Sequence, residues 1–240
     1  MNKTLAKSAF TVGLLLLLMA VPVYANVNKS IKIDAGSESD GGSTVNGSIS
    51  VGKGATVTGS LETVNGKIRV DDDSRIEDAN TVNGNLTLGD NVTAANLETV
   101  NGSISVGEGG SLSGDIEAVN GGIDLESGCT VAGNVGNVNG SMDFEGSEIG
   151  GNVSTVSGNI ELSDAAVIKG DLIIEKPGFS WFGSKNDKEP KIVIGPGSAV
   201  EGKIVLEREV RLYISETAEV GGVEGEMSMD DAIRFSGNRP

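Results

Sequence analysis

Asp124, Asp143 and Glu161 stand at steps of 19 and 18 residues, and Glu126 and Glu145 repeat the step of 19 beside them. If that step is one turn of a coil, these carboxylates stack in a column. Stacked carboxylates repel unless something neutralises them. The column is then either a solvated acidic face that also blocks association or a strip for a divalent cation. The run Asp71-Asp72-Asp73 poses the same choice, between a charged loop and a weak calcium site, and it lacks the spaced pattern of calcium-binding nonapeptide repeats. Other chemistry has few candidates. The chain contains no histidine, the usual general base and metal ligand. Its one cysteine, Cys129, lies beside Val131 at a bend and reads as a small buried filler rather than a reactive thiol. No Ser has a partner that would activate it as a nucleophile. No catalytic or cofactor-binding residue is assigned, and a carbohydrate-cleaving enzyme would need converging carboxylates, not repeating ones.

Three aromatic side chains form the other group that could act. Phe179, Trp181 and Phe182 are half of the six aromatics that follow residue 25, and they share one Pro- and Gly-bounded segment. Such residues either cover the side of the fold or anchor a partner surface, where Trp and Phe are enriched.

The elements that must carry these groups are set by a repeat. TVNG at residues 44–47 returns at Thr63, Thr81 and Thr99, followed by AVNG at Ala118, NVNG at Asn137 and TVSG at Thr155. The valines Val45, Val64, Val82, Val100, Val119, Val138 and Val156 are 18 or 19 residues apart. A fixed period of this length signals a solenoid. Within each unit apolar residues recur at the same offsets, for example Val100, Ile104, Val106, Leu112 and Ile116, and short stretches alternate in polarity as strands do. A second marker, V-x-G-x-[L/I/V], sits halfway round, at Val57–Leu61 and Leu112–Ile116; in the second and third units its Gly is read as Asp78 and Ala94. Two marked bends and short strands per unit describe a single-stranded parallel β-helix, all-β, of about ten coils that stack about 4.8 Å apart. The absence of strict hexapeptide spacing favours a right hand. Stacking places Asn46, Asn65, Asn83, Asn101, Asn120 and Asn139 in one ladder at a turn, each followed by a Gly expected to adopt a conformation costly for other residues. The marker valines are counted among the apolar residues that recur in each unit, such as Val45, Ile49, Val51, Val57 and Leu61 in the first.

The pattern extends over residues 26–223. Val27 to Ile33 keeps half a coil, as a polar cap would. The segment 175–191 inserts 14 extra residues where an Asn-Gly would stand, and residues 224–240 read as a loose or capping tail. Residues 1–25 read as a secretory signal peptide: Lys3 and Lys7, an apolar run from Ala9 to Val21, then Val23-Tyr24-Ala25 before the cut. The run is too short for a spanning helix, and no later segment could span a membrane. Cleavage leaves 16 basic against 34 acidic side chains, a balance that opposes nucleic acid and anionic lipid as partners. An exported protein with one cysteine must do without internal disulfides. The expected location is periplasmic or extracellular.

The ETVNGSISV and AVNGGIDL units resemble the secreted adhesin β-helix family, and VTGSL and IVIGPGSAVEGKI resemble bactofilins, the polymer-forming bacterial cytoskeletal proteins. Together the resemblance spans about residues 27–223 and implies a β-helix with no catalytic residues. Bactofilins are typically cytoplasmic, and the export signal sets this chain apart from them. The expected function is a non-catalytic structural or assembly protein of the cell envelope. Its partner is a protein or envelope component, or further copies of itself. The alternative is an adhesin-like module that binds through the aromatic loop and the acidic face. Ice binding by the row Thr44, Thr63, Thr81, Thr99 and Thr155 is a remoter reading, since Ala118 and Asn137 interrupt the row.

Overall fold

A computed structural model describes residues 27–177 and 189–240. Residues 1–26, which include the segment read as a signal peptide, and the aromatics Phe179, Trp181 and Phe182 lie outside the described residues. The chain winds into about ten stacked coils of parallel strands. One coil runs through Leu97–Asn101, Ile104–Val106 and Ser111–Leu112, after which Ile116–Asn120 lies directly on Leu97–Asn101. Repetition builds three sheets around one core: one of ten strands, one of eleven, and a third of seven strands preceded by a separate pair. Among the described residues every strand pairing is parallel and the only helix is a single 3-10 turn at Met229–Asp231. No helix of the described residues is long and apolar enough to cross a membrane.

The period-2 alternation fills the core with columns. Ile49, Ile68, Leu86, Ile104, Ile123, Met142, Ile160, Ile192 and Leu212 stack in one, each almost fully buried. Phe144 is the largest fully buried side chain among the described residues. Cys129 is buried as expected, its Sγ 3.0 Å from the Gly107 carbonyl, and burial pushes its thiol pKa up.

The ten-stranded sheet corrects the reading of TVNG. Its threonines point inward and its valines outward. Thr63, Thr81 and Thr99 are at most 4 % exposed, whereas Val64, Val82 and Val100 are only half-buried. The cause is a carbonyl at the corner below. Thr63 Oγ1 donates to the Gly47 carbonyl at 2.8 Å, Thr81 to Gly66 at 3.0 Å and Thr99 to Gly84 at 3.1 Å. A buried carbonyl without a donor costs more than a buried methyl group gains, so the hydroxyl takes the inside position.

The glycine of Asn-Gly is also needed for a different reason than expected. Of this column only Gly140 has a positive φ. Adjacent coils instead touch here, so that a Cβ on Gly102 would overlap the Gly84 carbonyl oxygen, and one on Gly84 that of Gly66. Left-handed residues form a column at another corner, between the eleven-stranded sheet and the third sheet: Gly54 (φ 69°), Asp73 (φ 57°), Asn91 (φ 55°) and Gly109 (φ 68°). Asp and Asn tolerate that region better than other non-glycine residues, which accounts for the last residue of the Asp71-Asp72-Asp73 run.

The second and third coils do not exchange their corner glycine for Asp78 and Ala94; they omit a residue. Arg75 bridges to Thr56, 19 residues back, yet Ala79 pairs with Leu61, only 18 back. Ala94 lies under Leu112, and the fourth coil restores the residue with Ile116 opposite Leu97. At the far insertion the chain leaves at Ile174 and returns at Lys191, with both rungs still in register with their neighbours. The segment after Val223 caps the column. Val223–Gly225 and Ile233–Phe235 add to the ends of two sheets, while Met227, Met229 and Ala232 pack on the core.

Two substitutions separate these uses of glycine. Gly102→Ala is expected to destabilise the fold by about 3 kcal/mol, because coil backbones must move apart. Gly54→Ala meets no atom within 4 Å and should lose only the left-handed penalty, about 1 kcal/mol. Chemical denaturation of both variants measures the difference.

Candidate functional site

The structure sorts the candidate residues into ladders and surface strips. The asparagine ladder forms and is one member longer than expected. Asn46 Nδ2 donates to Asn28 Oδ1 at 2.9 Å. The chain of bonds continues through Asn65, Asn83, Asn101, Asn120 and Asn139, each donating to the one before at 2.8–3.1 Å. All seven side chains are exposed, so each bond competes with water and contributes modestly.

A second ladder escaped the sequence reading. Asp78, Asn96, Asp115, Asn134, Asn152 and Asp171 each stand one residue before the apolar residue that opens a strand of the ten-stranded sheet. Each Oδ1 accepts the backbone N–H of its counterpart one coil on, and Asp171 closes the series on the Lys203 N–H at 2.8 Å. Asp and Asn serve equally as acceptors, so the column changes residue type and shows no repeated letter. Its signal was a [DN] before each [A/L/I/V] at the period of the repeat.

Asp124, Asp143 and Glu161 are brought together on the outer face of the eleven-stranded sheet, as direct strand partners. Burial, then Glu161 and Asp124, push the Asp143 carboxyl up, while Arg239 pulls it back. Arg239, from the tail, pairs with Glu161 at 3.3 Å. Asp71, Asp72 and Asp73 do not converge. Arg69 holds Asp71 at 3.0 Å, and Lys53 lies 3.6 Å from Asp72 and 3.0 Å from Asp73. The hydrogen bond from Lys53, then that from Asn91, hold the Asp73 carboxyl below its usual range. Among the described residues no group of three or more His, Cys, Asp or Glu side chains is placed to hold a metal ion. The threonine row is buried and offers no surface to ice.

A further strip lies on the outer face of the ten-stranded sheet. Glu62, Asn80, Glu98 and Glu117 are consecutive strand partners, half-buried, and beside them runs the column of outward valines. Burial is the first cause that raises all three glutamates; Asp78 adds to Glu62, Asp78 and Asp115 to Glu98, and Glu98 and Asp115 to Glu117. Among the described residues no Lys or Arg pairs with any of the three.

No protein-family model matches the chain, and neither a curated protein nor a solved structure matches it.

Removing the middle of the exposed ladder tests what it contributes. Asn101→Ala loses two side-chain bonds and should cost about 1 kcal/mol. Asn101 does not have a positive φ, so Asn101→Gly gains no relief and should be at least as unstable, because glycine adds its own entropy cost. Thermal melts compare the two. The glutamate strip sets a pH dependence. A carboxyl whose folded pKa is raised destabilises the fold when ionised. Its contribution is most favourable below the ordinary glutamate value, and stability falls as pH rises from there through the raised values. Glu117→Gln should therefore raise the melting temperature at neutral pH by about 2 °C, and that gain should shrink towards pH ~4.

Proposed function

We propose that this protein is an exported, non-catalytic structural or assembly protein of the bacterial cell envelope, a bactofilin-like β-helix scaffold. The observation that carries this reading is the pair of side-chain ladders, Asn28 to Asn139 and Asp78 to Lys203, which tie successive coils together along the rod. Polar side chains that stack on copies of themselves stiffen a column of about ten rungs, on the order of 50 Å long. Their partners are already filled, so they are suited to holding positions rather than to turning over a substrate. The leader at Lys3 to Ala25 supports export, and the acidic balance of the chain supports a protein or envelope partner over nucleic acid.

Open strand edges pair with other chains unless something covers them. Glu38–Ser39, Gly42–Thr44 and Ile31–Ile33 each end a sheet at the first coil, while the tail covers part of the last. Self-association is therefore expected to stop at small oligomers. Electron microscopy of the protein lacking residues 1–25 should show short particles; abundant long filaments would instead support unlimited polymerisation.

A second reading is favoured by the insertion at 175–191, which leaves the register of the coils on both sides intact. A column whose register is kept on both sides of such a segment can use it for binding, as an adhesin would. Replacing Phe179, Trp181 and Phe182 together with Ser should leave the thermal midpoint unchanged and abolish capture of an envelope partner. A lowered midpoint would assign these aromatics to cover instead.

A further inference from the structure

We infer that the outer face of the ten-stranded sheet is a docking surface for a basic polypeptide, one in which Lys or Arg alternates with apolar residues. This goes beyond the scaffold reading.

Three observations converge on that face. Val45, Val64, Val82, Val100, Val119, Val138 and Val156 all point outward and all remain half-buried. At about 4.8 Å per rung they form an apolar ridge roughly 29 Å long, each beside an inward Thr, or Ala118 or Asn137, that takes the core position. Beside the ridge, Glu62, Asn80, Glu98 and Glu117 present consecutive acceptors. Among the described residues no ion pair neutralises those glutamates, and Asn80 Oδ1 is without a hydrogen-bond partner. On other faces some acids are neutralised: Asp71, Asp72, Asp73, Glu148, Glu161 and Glu224 each meet a Lys or Arg. The ten-stranded sheet thus combines the conspicuous apolar ridge with carboxylates left for an outside cation.

Charge complementarity selects the occupant. A second copy laid on this face would set glutamates against glutamates. Nucleic acid and anionic lipid meet the same repulsion. A simple metal ion would have no use for the ridge. A Lys or Arg side chain fits both columns, because its alkyl stem lies on apolar surface while its charged head reaches a carboxylate. Apolar residues between the basic ones would cover the remaining valine surface. Burial first, and the neighbouring carboxylates after it, raise the Glu98 and Glu117 carboxyls, and a bound cation would offset the repulsive part.

The probe is a short fluorescein-labelled peptide of alternating Lys and Val, with its Glu and Val counterpart and an all-Lys peptide as controls, read by fluorescence anisotropy at low salt. The Lys/Val peptide should bind more tightly than the all-Lys peptide, and the Glu/Val peptide should not bind. The double variant E98Q/E117Q should weaken Lys/Val binding about tenfold; these substitutions remove repulsion, so folding is retained. V100S/V119S should weaken the Lys/Val peptide and leave the all-Lys peptide unchanged. D124N/D143N, on the eleven-stranded sheet, should change neither. The inference is overturned if D124N/D143N weakens binding as much as E98Q/E117Q does, since net charge alone would then explain it. It is overturned equally if E98Q/E117Q binds like the unaltered protein, or if the Lys/Val peptide does not bind. None of these results bears on whether the protein assembles, which the microscopy reads separately.

Discussion

Backbone N–H groups of one coil bond to carbonyls of its neighbours, and this fixes each strand residue above a counterpart at strand spacing. Each position must therefore be compatible with itself. Apolar side chains meet that demand easily, so the interior becomes columns of Ile, Leu and Val. Polar ones meet it only when they can donate upward and accept downward. An amide does both, which is why Asn recurs where the chain has most copies of a polar ladder. A carboxylate accepts but does not donate, so Asp enters a ladder where the rung above offers a donor, a backbone N–H at Asp115 and Asp171 and a side-chain amide at Asp73.

The same constraint shapes the corners. Where coils pass closest, at Gly84 and Gly102, a carbonyl lies where a Cβ would be, and only glycine satisfies the stack. That close approach leaves a carbonyl facing the interior, and the threonine of the next coil answers it. The outward valine is thus a consequence of a backbone contact, several bonds removed from any preference of valine itself. At the corner carrying Asp73 and Asn91 the coils are not so pressed, and the requirement is a left-handed backbone instead.

Much of this was legible in the sequence, and the parts that were not share a cause. The period, the strand class and the asparagine ladder were open to reading because stacking repeats the same letter: Asn65, Asn83 and Asn101 announce their column. The orientation of Thr99 and Val100 was not, since alternation says that one points in without saying which, and hydropathy favours the wrong one. The Asp78 to Asp171 ladder was hidden by the interchange of Asp and Asn. Turn glycines look alike in sequence whether they serve close approach or positive φ, so Gly102 and Gly54 could be told apart only in three dimensions. The surface strip of Glu98 and Glu117 needed that orientation first, because its meaning depends on the valines beside it.

The omitted residue in the second and third coils bears on how such a chain can change over generations. From Arg75 to Ala79 the chain is one residue shorter than from Thr56 to Leu61, yet the strands on either side stay opposite their partners. Length is thus free to drift at the corners, where a residue lost shortens an arc and nothing beyond it is displaced. Within a strand the same deletion would turn every following side chain to the opposite face. The architecture thereby divides its own sequence into two kinds of text, one that tolerates editing and one that does not. A lineage of these coils could diverge widely in length while each strand kept its parity.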